Sequence, residues 1–232
     1  MSHCMREIKK RTKPHFITIV GLGLSLVAPV FYSLIIGEFF FSDQAHSLLG
    51  IYIGLFFMWF LSAAVVLLTH RGEKRPLSSI GWKLPTVKLI ILTLGLGVLL
   101  SLAVPALSIL AGMIITVDES GSIQTASQIP WLLMLSSVIT AGITEELLFR
   151  GYALERLLEW TGSKWISSIV SLVCFTAIHI AEWNMVHIIG VVIPMGVALI
   201  VLYWWKRNLL LVIIAHITIF FPLVFFSVNE CS

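Results

Sequence analysis

The sequence predicts an all-α membrane protein, a polytopic bundle of about seven transmembrane helices. Hydrophobic residues make up 58% of the chain and charged residues only 12%, whereas a soluble domain carries roughly 25% charged residues. The chain also contains a series of apolar stretches, most of them near the roughly 17–25 residues that cross a bilayer as a helix. We place them at 15–36, 47–69, 87–115, 131–157, 165–181, 186–205 and 208–228.

The basic residues predict how these helices are oriented. All 15 Lys and Arg residues fall before the first stretch, between the second and third, near the turn between the fourth and fifth, or between the sixth and seventh. Lys and Arg collect on the cytoplasmic side of membrane proteins, so we expect the N-terminus inside and the C-terminus outside. The other loops and the tail contain acidic residues and no basic one, namely Glu38, Asp43, Asp118, Glu119, Glu182 and Glu230.

The apolar stretches differ in the ionisable residues that they contain, although we expect them to form one membrane domain. A basic cytoplasmic segment, 1–14, precedes the first stretch, which is about 22 residues long and lacks an A-x-A-like cleavage site, so an uncleaved anchor is expected. Residues 15–128 form accessory helices without acidic residues or histidine in their apolar cores. Residues 131–228 form the catalytic-type core, which contains Glu145, Glu146, Arg150, His179 and His216.

The motif "TEELLFRGY" at 144–152 places charges where the chain is otherwise apolar. A charge at the bilayer centre costs at least about 2.5–3.5 kcal/mol, so these residues need partners or a function. Glu146 and Arg150 are four residues apart and can pair on one helix face. Glu145 is rotated by about 100° from Glu146 and points toward a different neighbour. The alternative is an interfacial helix end whose charges extend to the cytoplasmic surface.

Two histidines on other helices favour a buried polar site over that alternative. Counted at about 1.5 Å per residue from helix ends near 158, 164 and 207, Glu145 lies about 20 Å deep, His179 about 22 Å and His216 about 14 Å. A desolvated glutamate is a suitable base for taking a proton from water. An imidazole can share that water or donate a hydrogen bond to a developing oxyanion.

These residues resemble the three ordered motifs of the CAAX prenyl protease and bacteriocin-processing family of glutamate intramembrane proteases. The motifs are Glu145 to Arg150, Phe175 to His179, and His216, and the resemblance covers about 131–228. It implies that Glu145 and His179 activate water and that His216 helps to form the oxyanion hole. Glu146, Arg150 and Phe175 are then supporting residues.

The chain departs from this family four residues after His216. Family members usually carry Asn or Asp there as a second oxyanion donor, and this chain has Phe220. Thr218 falls on another helix face, and Asn208 lies two turns back. The departure favours a second hypothesis, a non-catalytic bacteriocin immunity or membrane-partner protein that keeps the same polar site.

Other functions are less well supported. The chain lacks the H-E-x-x-H motif of a zinc hydrolase of that type, and a transporter would show repeats that are absent here.

We expect no cofactor and no metal, a peptide or protein substrate at the lipid bilayer, and no nucleic-acid partner. Cys4, Cys174 and Cys231 fall in different compartments, so no disulfide is expected. The expected location is the plasma membrane of a bacterium, with several spans.

Overall fold

The computed structural model describes residues 15–37, 48–115, 129–181 and 183–228, and in these ranges the chain forms helices and no β-strand. The predicted all-α fold is therefore confirmed. The apolar helices of the described part match the predicted stretches in order. They are α1 (Phe16–Ile35), α2 (Leu48–Gly72), α3 (Val87–Ile114), α4 (Trp131–Thr161), α5 (Lys164–Ala177), α6 (Met185–Lys206) and α7 (Leu209–Phe225).

Five of these helices are long and apolar enough to cross a membrane, whereas α5 and α7 are shorter. α5 has 14 residues, so at about 1.5 Å per residue it covers only part of a hydrocarbon core of about 30 Å. The predicted fifth stretch extends to residue 181, but residues 178–181 form turns. Such backbone is tolerated at membrane depth where protein surrounds it. Here the Ser33 hydroxyl donates a hydrogen bond to the Ile178 carbonyl.

α4 continues through the charged motif, so Glu145 does not lie at a helix end. From Glu146 to Ala153 its turns widen to the π type, as turns of α1, α2 and α6 also do. Hydroxyl groups from neighbouring helices bind the carbonyls of this segment: Ser25 donates to Leu148 and Ser171 to Phe149. α4 ends before Gly162, whose φ of 69° lies in the left-handed region that glycine adopts without strain.

The loops that the basic residues predict to be cytoplasmic meet at one end of the bundle. Arg156 on α4 forms a buried ion pair with Glu73, which follows α2, at 2.6 Å. Arg75 pairs with Glu159 at 2.7 Å, and Arg207, between α6 and α7, pairs with Glu155. The hydrogen bond to Glu155 raises the pKa of Arg207 above its ordinary value. The acidic residues of the opposite loops and both termini, including Cys4 and Cys231, lie outside the described residues.

Helix α7 lies between α3, α4 and α6 and carries His216 into the bundle. Two glycines permit this approach, because a Cβ atom at Gly142 on α4 would lie 2.5 Å from Ile217. A Cβ atom at Gly97 on α3 would lie 2.7 Å from Thr218. The side chains of α7 therefore reach the level of the charged motif of α4.

Candidate active site

The centre of the site is a buried carboxylate that binds two basic side chains. Glu146 Oε1 on α4 accepts a hydrogen bond from Arg150 Nη1 at 3.0 Å and lies 2.7 Å from His216 Nδ1 on α7. The side chains of Glu146 and Arg150 are 0% exposed and that of His216 is 4% exposed. The predicted pair of Glu146 and Arg150 is confirmed, whereas the contact between Glu146 and His216 was not predicted.

The same ion pair contains most of the unsatisfied buried side-chain atoms in the described part of the chain. Four buried atoms there have no hydrogen-bond partner: Glu146 Oε2, Arg150 Nε, Arg150 Nη2 and Ser62 Oγ. Buried polar groups nearly always have a partner, so each exception needs an explanation. Three of these exceptions belong to Glu146 and Arg150. The carboxylate of the same pair also binds His216 on α7.

Phe175 connects this centre to His179. Its ring lies 3.9 Å from the Arg150 guanidinium carbon and 4.8 Å, between ring centroids, from His179. His179 Nδ1 lies 2.8 Å from the Phe175 carbonyl oxygen, and because a carbonyl only accepts, Nδ1 carries the proton. In the neutral ring Nε2 is then an acceptor. His179 lies in the turn after α5 and is close enough to Arg150 and His216 to interact with them electrostatically.

Glu145 ends the first regular segment of α4, immediately before the π-type turns begin. Its side chain is nearly buried, with the residue 9% exposed. Its charge acts on the Arg150 guanidinium, as the charge of Glu146 does. The two adjacent glutamates therefore both contribute to the field around Arg150, and Glu146 also bonds to His216.

Phe220 packs against His216, as its spacing predicts. The two ring centroids are 5.1 Å apart, so the position that the family usually fills with Asn or Asp does face this histidine. Thr218 lies on another face and donates its hydroxyl to the Ile214 carbonyl. Asn208 caps α7 by accepting a hydrogen bond from the Leu211 amide. Neither of these polar side chains replaces the missing donor.

A third histidine, His187, lies beyond the turn that follows α5 and close to His179. His187 at the start of α6 stacks on Trp183, with ring centroids 4.0 Å apart, and interacts electrostatically with His179. The Trp183 amide donates a hydrogen bond to the His179 carbonyl at 3.0 Å, which folds this loop back on itself. The sequence gives no periodic signal for the contact, because a turn separates the two histidines.

A metal site is not formed by the residues that the structure describes. In those ranges no group of three or more His, Cys, Asp or Glu side chains is arranged to hold a metal ion. Cys174 is reduced, partly buried and adjacent in sequence to Phe175.

Comparison with known proteins gives one match. Residues 127–221 match the model of a protein family described as Type II CAAX prenyl endopeptidase Rce1-like. This segment contains all three predicted motifs, so the family resemblance is confirmed there. No curated protein and no solved structure matches the chain.

Proposed function

Since residues 127–221 match the model of the Rce1-like type II CAAX prenyl endopeptidases, we propose that this multi-pass membrane protein is an intramembrane endopeptidase. It hydrolyses a peptide bond close to the membrane and uses a glutamate and histidines without a metal. The observation that carries the proposal is the buried cluster of Glu146, Arg150 and His216, which two helices bring together at hydrogen-bond distance. Charged groups inside a bilayer are costly and usually functional.

In this mechanism Glu145 is the general base. It takes a proton from a water molecule, whose oxygen then attacks the scissile carbonyl carbon. His179 Nε2 accepts a hydrogen bond from the second water hydrogen, because its Nδ1 proton is held by the Phe175 carbonyl. When the tetrahedral intermediate collapses, the C–N bond breaks and Glu145 returns its proton to the leaving amine. Atoms and charge balance without any covalent enzyme intermediate.

His216 donates a hydrogen bond to the oxyanion. Its Nδ1 faces a carboxylate oxygen that only accepts, so donation from Nε2 requires the imidazolium form. With His216 protonated, the charges of Glu145, Glu146, Arg150 and His216 sum to zero, which is what a low-dielectric site requires.

The proposed substrate is a membrane-attached peptide of the CAAX type, because the matched family is described by that activity. A bacteriocin precursor is the other peptide class we consider, and the proposed location is the bacterial plasma membrane. A second candidate function is a non-catalytic immunity or partner protein. It is favoured by Phe220, which packs on His216 where a donor would be expected.

The deciding experiment is hydrolysis of a peptide panel by the purified protein in lipid nanodiscs. The panel contains prenylated and unprenylated versions of the same membrane-proximal peptides, and products are identified by mass spectrometry. Glu145→Ala should abolish cleavage. The matched control is Glu159→Gln, which removes a carboxylate from a partly exposed pair with Arg75 and should leave cleavage unchanged. Absence of cleavage of every peptide by the folded wild type would favour the immunity or partner function.

A further inference from the structure

The guanidinium of Arg150 has one edge that no group of the described residues uses. Its Nη1 nitrogen donates to Glu146, and its face lies against the Phe175 ring. Its Nε and Nη2 nitrogens are buried and have no hydrogen-bond partner. These two nitrogens form the planar fork with which arginine binds anionic oxygens.

The unused edge lies among the residues of the proposed site. Arg150 Nη1 and His216 Nδ1 bind the same oxygen of Glu146, so guanidinium and imidazole are neighbours. Phe175 contacts both Arg150 and His179, so a single ring links the guanidinium to the histidine that is proposed to hold the water. Glu145, the proposed base, acts electrostatically on the same guanidinium. Arg150 thus contacts Glu146 and Phe175, and each of these two residues also contacts a histidine proposed for catalysis.

We propose that Arg150 is the second oxyanion donor and replaces the residue that Phe220 cannot supply. This inference rests on the proposed function. As the water oxygen bonds to the carbonyl carbon, the C=O π electrons move to the oxygen and the water proton moves to Glu145. The negative charge thereby leaves Glu145 and appears on the oxyanion. Arg150, which interacts with the Glu145 carboxylate at rest, then stabilises the new anion through Nε and Nη2.

The proposal reverses the expectation for Phe220. If position 220 simply lacked a donor, an asparagine there would accelerate the enzyme, because one oxyanion donor contributes about 10²–10³ in rate. If Arg150 already fills the role, Phe220→Asn changes kcat by less than about threefold in the wild-type background. A gain of about tenfold or more would overturn the proposal, and this measurement does not depend on any arginine variant folding.

The kinetic test then moves the donor from one position to the other. Arg150→Lys keeps the charge next to Glu146 but lacks the fork, and it should lower kcat by about 10²–10³ with KM nearly constant. The double variant Arg150→Lys, Phe220→Asn should have a kcat at least about tenfold higher than that of Arg150→Lys alone. The matched control is Arg156→Lys, a buried arginine of the same helix that pairs with Glu73. Phe220→Asn should not raise the kcat of the Arg156→Lys variant. An equal increase in kcat in both backgrounds would refute the role of Arg150 as oxyanion donor.

A binding measurement separates this inference from the proposed function. The probe is a prenylated peptide whose scissile amide is replaced by a phosphinate, which carries an anionic oxygen on a tetrahedral centre. Wild type should bind it about 10²-fold or more tightly than the amide peptide, and Arg150→Lys should lose this preference. Lack of preference in the wild type would overturn the inference. An Arg150-dependent preference in a protein that cleaves no peptide would support the oxyanion site and reject the protease function.

Discussion

Removal of the Glu146 charge tests how the buried centre is held together. Glu146→Gln keeps the shape and an acceptor oxygen, but it leaves Arg150 as a buried cation beside His216. Both members of the pair are fully buried in the structure, and breaking a buried ion pair by removing one partner costs about 3–5 kcal/mol. We therefore expect Glu146→Gln to lower the free energy of unfolding by about that amount.

The assay is denaturant unfolding of the purified protein in bicelles, followed by tryptophan fluorescence. Arg150→Met should cost a similar amount, but the double variant Glu146→Gln, Arg150→Met should cost clearly less than the sum, because no charge is left unpaired. The control is Arg75→Gln, which breaks a half-exposed pair and should cost less than about 1 kcal/mol. Additivity of the two buried substitutions within about 0.5 kcal/mol would refute the interaction.

Four further predictions concern chemistry, topology and packing. Glu145→Gln should abolish hydrolysis while the protein stays folded, since an amide cannot take a proton; normal kcat in this variant would remove Glu145 from the mechanism. Activity should survive EDTA and 1,10-phenanthroline, and inhibition that zinc reverses would support the metallohydrolase alternative. A membrane-impermeant maleimide added to intact cells should label Cys231 and not Cys4, and the reverse pattern would mean a miscounted span. Gly142→Leu should lower the unfolding temperature, because even its Cβ atom would lie 2.5 Å from Ile217; an unchanged temperature would mean that α4 and α7 separate easily.

The number and order of the helices could be predicted from hydropathy and charge, but their ends could not. The predicted fifth stretch ran to residue 181 because Ile178, Ile180 and Ala181 are as apolar as the helix before them. The structure ends α5 at Ala177, where the Ser33 hydroxyl, from another helix, binds the freed Ile178 carbonyl. That contact depends on tertiary packing, which a window of local composition does not contain.

The site could be predicted only in part, because some of its contacts also depend on tertiary packing. The spacing of Glu146 and Arg150 fixes their contact within one helix, and the structure confirms it. The contact between Glu146 and His216 depends on how α7 is rotated against α4. A depth estimated by counting residues does not determine this rotation. The structure shows why Glu146 and His216 lie at the same depth in the bundle. Glu155 on α4 pairs with Arg207, just before α7, at the end of the bundle. The same number of residues separates Glu155 from Glu146 and Arg207 from His216, and these two residues pair in turn.

The two layers of charge in this bundle differ in how completely they are satisfied. At the basic end, Arg156 bonds to Glu73 through Nε and Nη2, to Ser79 and to Glu159, so its donors are used by the protein itself. Deeper in the same helix, Arg150 is equally buried, but toward the other described residues it uses only Nη1 for a hydrogen bond. Natural proteins depart from full satisfaction of buried polar groups mainly at functional sites. The contrast between two buried arginines on one helix therefore supports the proposal that the unused edge of Arg150 binds a ligand oxygen, whereas Arg156 belongs to a structural network.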